Sequence, residues 1–365
     1  MTNRAIRPVR VAIAGVGNCA SSLVQGINYY RKHPNEELDG IMSPLIGGVK
    51  PGDIEIVCAF DVDSRKVGRP LAEAIFAKPN NAWVFEPEID SGDFVVQMGP
   101  VEDGVPPHMS DFPEDRAFRA SNAPAVEIAA ALKQAGAEVF ICYLPVGSER
   151  AVRQYAEACL TAGVAMVNCM PVFLASDREW AEKFVKAGVP IIGDDIKSQI
   201  GATIIHRSLA HLFQKRGCHL KHTYQLNTGG NTDFLNMKAQ DRLASKRKSK
   251  TQSVQSQLPV PLDDEDIHIG PSDYVAWQKD NKVAFIRMEG AGFAGAPIEI
   301  ELRLSVQDSP NSAGVVIDAV RCAKLALERG LSGPLIGPSA GYMKSPPEQM
   351  DEASAFEAID QFVRE

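Results

Sequence analysis

The residues best suited to chemistry lie in one short segment, residues 227–251, which combines amides, a carboxylate and a dense set of cations. Its first half is a polar, glycine-containing turn that includes Asn231 and Asp233. Its second half places Lys246 and Lys250 four residues apart, so that in a helix both ammonium groups lie on one face. Such a pair can hold a phosphate group and leave one amine free to move protons.

The same cations also fit a solvated basic face or a nucleic-acid-binding patch, because six of the thirteen residues from Lys238 to Lys250 are lysine or arginine. The whole chain, however, has a formal net charge of -8 at pH 7. A protein that coats a polyanion needs a broad positive surface. We therefore expect a local site on an acidic body and no nucleic-acid partner.

Length and composition predict a protein of two domains. The chain has 365 residues, which exceeds one ordinary core, and its apolar fraction of 45% and charged fraction of 23% are typical of soluble globular proteins. The seven cysteines include no C-x-x-C pair, which favours reduced thiols over a disulfide framework or a zinc site. No apolar run approaches the roughly 20 residues of a membrane-spanning helix, and no signal peptide is evident. We expect a cytoplasmic protein with no membrane partner.

A dinucleotide site is predicted near the start of the chain. A run of branched residues at 9–14 is followed by G-x-G-x-x-A, whose glycines are Gly15 and Gly17, and then by the helix-compatible residues 21–27. In this order the glycines let the backbone approach a pyrophosphate at the positive end of a helix. The motif alone is weak, since ordinary strand-to-helix turns also produce it, and the rest of the chain must support it.

Asp61, which follows a second strand-like run at residues 54–60, is the candidate carboxylate for the adenine ribose. It lies further from Gly15 than the usual spacing of about 20 residues. We interpret the excess as an inserted loop over residues 28–53, which are rich in glycine and proline. The alternative is that Asp61 only caps a helix that begins near Ser64.

Alternating strands and helices predict an α/β fold with a doubly wound parallel sheet. The strands are expected at 139–143, 164–167 and 189–192, and the helices near 148–162 and 176–187. In open parallel sheets ligands collect beyond the carboxyl ends of the strands, where this chain carries polar and glycine-rich strings.

After about residue 200 the pattern becomes that of an α+β domain. A helix is expected at 199–215, and strict alternation at 298–306 predicts a strand with one face on a core and one polar face. The other expected elements are strands at 221–226 and 282–288 and an apolar helix at 312–329; residues 78–122 and 251–273 are expected to be loop and surface connection. The predicted domains are 1–200 plus 309–365, which bind the dinucleotide, and 201–308, which are inserted.

Seven strings of the sequence resemble the myo-inositol-1-phosphate synthase family in its compact form. They are GVGNCASSL (15–23), GDDIKS (193–198), NTGGNTDFLNM (227–237), SKRKSKT (245–251), DNKVAFIRMEG (280–290), DSPNSAG (308–314) and GYMKSPPEQ (341–349). The resemblance implies a Rossmann-like domain with an inserted α+β domain for catalysis and oligomerisation, a homotetramer, and NAD-dependent conversion of D-glucose 6-phosphate to 1L-myo-inositol 1-phosphate.

The resemblance also assigns site residues. The implied catalytic residues are Lys246, Lys250, Lys282, Lys344, Asp195 and Asn231. The expected cofactor-binding residues are Gly15, Gly17, Asn18, Cys19, Asp61, Ser148, Asp194, Ser198, Asp233, Lys246, Asp308 and Ser309. A divalent or monovalent cation is compatible with oxygen ligands from Asp308 or Ser309, but the sequence does not choose the ion.

The implied reaction explains why several lysines would be needed. A hydride leaves C5 and later returns to it, and between these steps each intermediate carries negative charge on an oxygen, which fixed cations shielded from water would stabilise. Crowding of the cations lowers the pKa of at least one of them, so that it can move a proton. By resemblance, Lys250 deprotonates the C5 hydroxyl, Lys282 contacts the C1 aldehyde oxygen, and Lys246 and Lys344 contact the phosphate and the C5 oxygen.

Two alternatives remain open at this point. An ordinary NAD-dependent dehydrogenase of a small phosphorylated or hydroxylated substrate would share the fold, but it would accumulate NADH. An NAD-sensing regulator that binds nucleic acid would bind DNA tightly and with a steep dependence on salt.

Overall fold

Two β-sheets organise the chain in this computed structural model, which describes residues 7–34, 36–239, 242–270 and 273–365. The strands are β1 (Val9–Ala14), β2 (Ile54–Asp61), β3 (Gln97–Met98), β4 (Val139–Cys142), β5 (Ala165–Asn168), β6 (Pro190–Ile192), β7 (His219–Gly229), β8 (Ile267–Ile269), β9 (Asp273–Tyr274), β10 (Asn281–Ala291), β11 (Pro297–Gln307) and β12 (Gly333–Pro334). The helices are α1 (Asn18–Lys32), α2 (Leu71–Ala74), α3 (Ile128–Ala135), α4 (Glu149–Ala162), α5 (Arg178–Ala187), α6 (Ala202–Lys215), α7 (Thr232–Asn236), α8 (Ala244–Gln255), α9 (Pro310–Glu328), α10 (Ile336–Tyr342) and α11 (Glu352–Arg364).

The first sheet is parallel, with the strand order β12-β6-β5-β4-β1-β2-β3. Helices cover both of its faces, because successive side chains of a strand point to opposite sides. In β1, Val11 and Ile13 pack with α1 and α9, whereas Ala12 and Ala14 pack with α3, α4 and α5. The predicted α/β fold with a doubly wound, Rossmann-like parallel sheet is therefore confirmed.

Most predicted elements of this sheet are confirmed to within a few residues, but the proposed inserted loop begins later than expected. Helix α1 continues to Lys32, so residues 28–32 are helical and the connection to β2 starts at His33. Arg31 explains the extension, because its guanidinium donates to the carbonyl oxygens of Gly52 and Ile54 and ties the end of α1 to the start of β2.

The second sheet has the order β11-β10-β7-β8, with β9 beside β7. Strand β10 is antiparallel to both β7 and β11, as an α+β domain requires. One face packs on α6 and α8 through residues such as Ile286, Met288 and Val254. In β11 the polar face is exposed as predicted, but the aliphatic face is only half buried within one chain. The domain boundaries at 201 and 308 stay predictions, and the strands of this sheet fall inside them.

The expectation for residues 251–273 was partly wrong. Helix α8 extends to Gln255, and Ile267 and Ile269 are buried in β8, which pairs in parallel with β7. A strand of three residues is too short to produce a recognisable period. Pro271 and Ser272 of this stretch lie outside the described residues.

Residues 78–122 form mainly loop, as expected, with only β3 and a short 3₁₀ helix at Pro107–Asp111. This excursion packs on the second domain, because Met109 and Ala117 form a small apolar cluster with Leu235 of α7. Among the described residues, no helix is long and apolar enough to cross a bilayer.

Candidate active site

A cavity lies beyond the carboxyl ends of the first sheet, between that sheet and the elements around β7, β10 and α8. All of the predicted site residues except Ser148 and Asp194 line it. They are Gly15, Gly17, Asn18, Cys19, Asp61, Asp195, Ser198, Asn231, Asp233, Lys246, Lys250, Lys282, Asp308, Ser309 and Lys344. The fold thus brings together residues that are up to about 330 positions apart in the chain.

The glycine turn at the start of α1 fits a pyrophosphate. Gly15 has φ +90°, and a Cβ atom there would lie 2.4 Å from the carbonyl oxygen of Tyr143, so only glycine is accommodated. A Cβ atom on Gly17 would meet nothing within 4 Å. No side chain caps α1, so its N–H groups and the positive end of its dipole are available to an anion.

Asp61 ties this turn to the end of β2. Its carboxylate accepts hydrogen bonds from the backbone N–H groups of Val16, Val62 and Asp63 at 2.7, 2.7 and 2.8 Å. Residues 64–68 form a turn rather than a helix, so the alternative that Asp61 is only a helix cap does not describe this structure. Asp61 lines the cavity next to the glycine turn, and its role towards a ribose stays a prediction.

Helix α8 places Lys246 and Lys250 on the same face, both towards the cavity. Three of the four predicted lysines are paired with carboxylates. Their Nζ–Oδ distances are 2.7 Å for Lys246–Asp233, 3.2 Å for Lys282–Asp308 and 2.9 Å for Lys344–Asp195. Within the described residues, Lys250 has no carboxylate within ion-pair distance.

The environment of Lys250 favours its neutral form. The residue is 4% exposed. Burial, reinforced by the positive charges of Lys282, Lys246 and Lys344, lowers the pKa of Lys250 well below its usual value of 10.5, and the charge of Asp195 opposes this only in part. For Lys246 the outcome is opposite, because although burial lowers the pKa, the carboxylates of Asp233 and Asp195 raise it above the usual value. The cluster therefore contains one amine suited to accept a proton and neighbouring cations that stabilise negative charge.

The two consecutive aspartates after β6 point in different directions. Asp195, with φ +63°, accepts hydrogen bonds from Lys344 and from Ser249 Oγ at 2.9 and 2.6 Å. Asp194 is fully buried and accepts from Asn168 Nδ2 at 2.7 Å and Ser176 Oγ at 2.8 Å. Burial raises the pKa of Asp194 to about 6, although these hydrogen bonds oppose the shift. Asp194 therefore holds the loop after β5 and does not line the cavity.

Ser148 also lies outside the cavity lining. Its hydroxyl donates to the carbonyl oxygen of Pro145 at 2.6 Å, and it is fully buried. It stabilises the loop between β4 and α4, of which Pro145 and Val146 do line the cavity. Like Asp194, it stabilises a loop next to the cavity but does not line the cavity itself.

Asp280, which was not among the predicted site residues, connects several of them. Its Oδ1 accepts from Asn18 Nδ2, Asn231 Nδ2 and Ser309 Oγ at 2.8, 3.1 and 2.9 Å. Burial and the nearby charge of Asp308 raise the pKa of Asp280 to about 6. The available signal was its position at the head of the DNKVA string, two residues before Lys282.

The N-terminus of α6 was also missed. Gly201, Ala202, Thr203 and Ile204 line the cavity, and Gly201 provides no side chain to cap the helix. The first N–H groups of this 14-residue helix therefore face the same space as the lysines. A phosphate group could accept hydrogen bonds from them, at a position separate from the α1 turn.

The prediction of a cation stays untested. Among the described residues, no group of three or more His, Cys, Asp or Glu side chains is arranged to hold a metal ion. Asp308 already accepts from Lys282, and Ser309 Oγ donates to Asp280.

A buried ion cluster supports the Lys344 side of the cavity. Glu352 Oε1, at the start of α11, lies 3.3 Å from Lys197 Nζ and 3.1 Å from Arg207 Nη1, and both cations are almost fully buried. Lys197 Nζ also donates to the carbonyl oxygen of Ala340, and its backbone N–H donates to Tyr342. The cluster thus fastens α10, which ends just before Lys344, and the start of α11 to α6.

Replacing Glu352 with glutamine is expected to lower the free energy of unfolding by about 2 kcal/mol at pH 7, because two buried cations lose their carboxylate. Burial and the charge of Arg207 lower the pKa of Lys197 to about 8, below its unfolded value near 10.5. The unfolded state therefore binds more protons between these values, and stability rises with pH there. The loss caused by Glu352→Gln should be smaller at pH 10, where Lys197 is neutral.

Urea unfolding at pH 7 and pH 10 measures this difference. Glu357→Gln is the matched control, since Glu357 is exposed on the same helix, and it should change stability little at either pH. An equal loss for Glu352→Gln at both pH values would contradict the assigned ion cluster.

Comparisons with known proteins show which proteins the chain is similar to. The family model described as myo-inositol-1-phosphate synthase matches residues 201–309. The chain is 51% identical over 360 residues to inositol-3-phosphate synthase of Mycolicibacterium smegmatis, covering 97% of this chain and 98% of that protein. It is 50% identical over 363 residues to inositol-3-phosphate synthase of Corynebacterium glutamicum, covering 98% of each. A solved structure of a myo-inositol-1-phosphate synthase-related protein from Thermotoga maritima has a TM-score of 0.80 at 25% identity and covers 98% of both chains.

Proposed function

The chain belongs to the myo-inositol-1-phosphate synthase family, and from this premise we propose that it converts D-glucose 6-phosphate to 1L-myo-inositol 1-phosphate (1D-myo-inositol 3-phosphate). The reaction oxidises C5, forms an enolate at C5–C6, closes the ring by aldol attack of C6 on the C1 aldehyde, and reduces C5 again. It is an intramolecular lyase reaction with no net oxidation.

The observation that carries the proposal is a buried lysine, Lys250, that has no carboxylate partner among the described residues and lies with three carboxylate-paired lysines in one cavity, beside a turn suited to a dinucleotide. When bound, NAD supplies the hydride acceptor for C5 and returns the same hydride after ring closure. Two features support this cofactor: the space next to Gly17 is open where a pyrophosphate is proposed to bind, and Asp61 lines the same cavity as the proposed partner of the ribose hydroxyls.

Lys250 is proposed to take the proton of the C5 hydroxyl as the hydride departs. A general base works best when its pKa lies near the working pH. The pKa of Lys250 is lowered from its usual value of 10.5, which is a shift towards that range. Once protonated, the same ammonium stabilises the oxyanion at C5. Asp195, which is paired with Lys344, and Asn231 also line the cavity and are proposed to orient the cations and the substrate.

The remaining lysines are proposed to stabilise the other oxygens. Lys282 contacts the C1 aldehyde oxygen, which becomes negative when C6 attacks C1, and Lys246 and Lys344 contact the phosphate and the C5 oxygen. The uncapped N-terminus of α6 supports a phosphate position close to Ser198, because backbone N–H groups there have no partner within the helix. Fixed donors of this kind stabilise developing charge without reorganising.

One incubation tests the function. The purified protein with D-glucose 6-phosphate and catalytic NAD should give inositol phosphate, identified by phosphorus NMR, with no accumulation of NADH. NADH equal to the substrate consumed would instead identify an ordinary dehydrogenase. Tight, salt-dependent DNA binding with no product would identify the nucleic-acid-binding regulator.

Assembly, location and the cation belong to the proposal as well. A homotetramer is supported by apolar side chains exposed on the outer face of the second sheet, including Phe285 and Leu226, which are 44% and 38% exposed. Light scattering measures the mass.

A cytoplasmic location is supported by seven cysteines that are all unpaired. A cation at Asp308 and Ser309 would be detected as a dependence of activity on chelation or on monovalent salt.

A further inference from the structure

Two adjacent asparagines in the excursion over residues 78–122, outside every string that resembles the family, contact the glycine turn. Asn80 is buried and donates from Nδ2 to the carbonyl oxygen of Val16 at 3.0 Å. Its Oδ1 accepts from Lys66 Nζ at 2.9 Å, and Lys66 Nζ also donates to Val16 O at 2.7 Å. The peptide between the two glycines is therefore held in place from outside the first sheet.

Asn81 contacts both halves of the molecule. Its backbone N–H donates to Asn18 Oδ1 at 2.9 Å, and its Oδ1 accepts from Asn18 Nδ2 at 2.7 Å. Its Nδ2 donates to the carbonyl oxygen of Gly230 at 3.1 Å. Asn18 is the first residue of α1, whereas Gly230 follows β7 of the second sheet. One side chain thus links the pyrophosphate turn to the polar turn that carries Asn231 and Asp233.

The Gly230 end of this link is rigid. A Cβ atom on Gly230 would lie 2.4 Å from the carbonyl oxygen of Val275, and the N–H of Gly230 donates to Lys279 O at 2.9 Å. The Asn18 end is also anchored, because Asn18 Nδ2 donates to the buried Asp280 at 2.8 Å. Because Asn18 and Gly230 are each held by other contacts, the hydrogen bonds of Asn81 restrain the distance between them. Moving the glycine turn away from the turn after β7 would break the hydrogen bond between Asn81 and Gly230.

We propose that Asn81 is a positioning residue that keeps the dinucleotide bound between hydride removal and hydride return. The proposal rests on the proposed function, since only a reaction that returns its hydride requires the reduced cofactor and the oxidised sugar to stay together. An ordinary dehydrogenase must release the reduced cofactor in every cycle. The link that Asn81 forms between Asn18 and Gly230, here called the clasp, favours the first reaction and hinders the second.

Loss of the clasp has a chemically defined result. In the first step the C5–H bond breaks, the hydride reduces NAD⁺ to NADH, and the hydroxyl proton passes to Lys250, which leaves a ketone at C5. If NADH dissociates at this stage, the ketone cannot be reduced and one NADH appears in solution for each oxidised sugar released. Fresh NAD⁺ then binds and the cycle restarts. Wild-type protein should keep NADH bound and release none.

Two variants of Asn81 remove hydrogen bonds of the clasp and leave the glycines of the turn unchanged. Asn81→Ala removes the side-chain bonds to Asn18 and Gly230. Asn81→Asp retains the acceptor for Asn18 Nδ2 and removes only the donor to Gly230. Asn122→Ala is the control, because Asn122 belongs to the same excursion and is exposed. Thermal melts establish which variants are folded. If Asn81→Ala does not fold, the test is made with Asn81→Asp alone.

NADH dissociation, measured by stopped-flow fluorescence without substrate, should become about tenfold faster in both Asn81 variants and stay unchanged in Asn122→Ala. With glucose 6-phosphate and excess NAD, absorbance at 340 nm should rise only in the Asn81 variants. Wild-type dissociation rates in both Asn81 variants would overturn the inference even if wild-type protein makes inositol phosphate. Faster dissociation with no inositol phosphate from wild-type protein would support the clasp and reject the proposed function.

Discussion

Replacing Lys250 with alanine is expected to lower kcat for inositol phosphate formation by about 10³-fold or more while NAD binding stays intact. A positioned proton acceptor typically contributes about 10²- to 10⁴-fold, and fixed donors to an oxyanion contribute a similar amount. Lys250 combines both roles in the proposed reaction, and no described carboxylate ties it to a structural task. Steady-state turnover by phosphorus NMR and NAD titration by fluorescence measure the two quantities.

A matched control exists one half-turn earlier in the same helix. Lys248 is exposed, and its Nζ lies 5.3 Å from the centre of the Phe173 ring, away from the cavity. Lys248→Ala should keep near-normal turnover. Lys250→Met should fold at least as well as wild type, because an apolar side chain of similar volume replaces an amine that is buried without a carboxylate. Near-normal turnover of Lys250→Ala would refute the assignment.

The common face of Lys246 and Lys250 could be predicted because it depends only on their spacing and on the local formation of a helix. The i,i+4 spacing fixes a common face once the segment is helical, and the segment forms α8. The glycine turn was equally local, because a strand, two glycines and a helix follow one another without interruption. Strands buried on both faces were predictable from runs of branched residues.

The other two lysines reach the cavity through pairings that no local pattern reveals. The backbone N–H of Lys344 donates to Asp195 O at 2.7 Å, and the N–H of Asp194 donates to Ser345 O at 3.0 Å. These hydrogen bonds hold a C-terminal stretch beside the end of β6, which brings Lys344 to the cavity. Lys282 arrives through the register of β10, in which it faces Val306 of β11. Among the features of the sequence, only the resemblance to the family predicts these two residues.

The aspartate pair shows a second limit of sequence reasoning. By resemblance, Asp195 was assigned to catalysis and Asp194 to cofactor binding, but the string itself does not reveal which of the two carboxylates faces the cavity. The positive φ of Asp195 turns its carboxylate towards Lys344, and Asp194 is left facing the loop that contains Ser176. Aspartate is one of the few residues that tolerates such a conformation. Asn81 and Asp280 were missed for a related reason, because both contact Asn18, which lies more than 60 positions away from either of them in the chain.

The charge of Asp195 is expected to set the pH range of activity. In wild type, the rate should rise with pH as Lys250 loses its proton, because only the neutral amine accepts the C5 hydroxyl proton. Asp195 raises the pKa of Lys250, whereas burial and the charges of Lys282, Lys246 and Lys344 lower it. Removing the negative charge at position 195 therefore lowers the pKa of Lys250 further.

Asp195→Asn should move the rising limb of the kcat profile to lower pH and also lower the plateau by about 10²-fold. The plateau falls because Lys344 loses the carboxylate that holds its Nζ at 2.9 Å, and a misplaced cation no longer stabilises the oxyanion. Glu348→Gln removes an exposed acid from the same stretch as Lys344 and should leave the profile unchanged. A limb that stays in place or moves to higher pH in Asp195→Asn would show that Lys250 is not the group whose deprotonation starts the reaction.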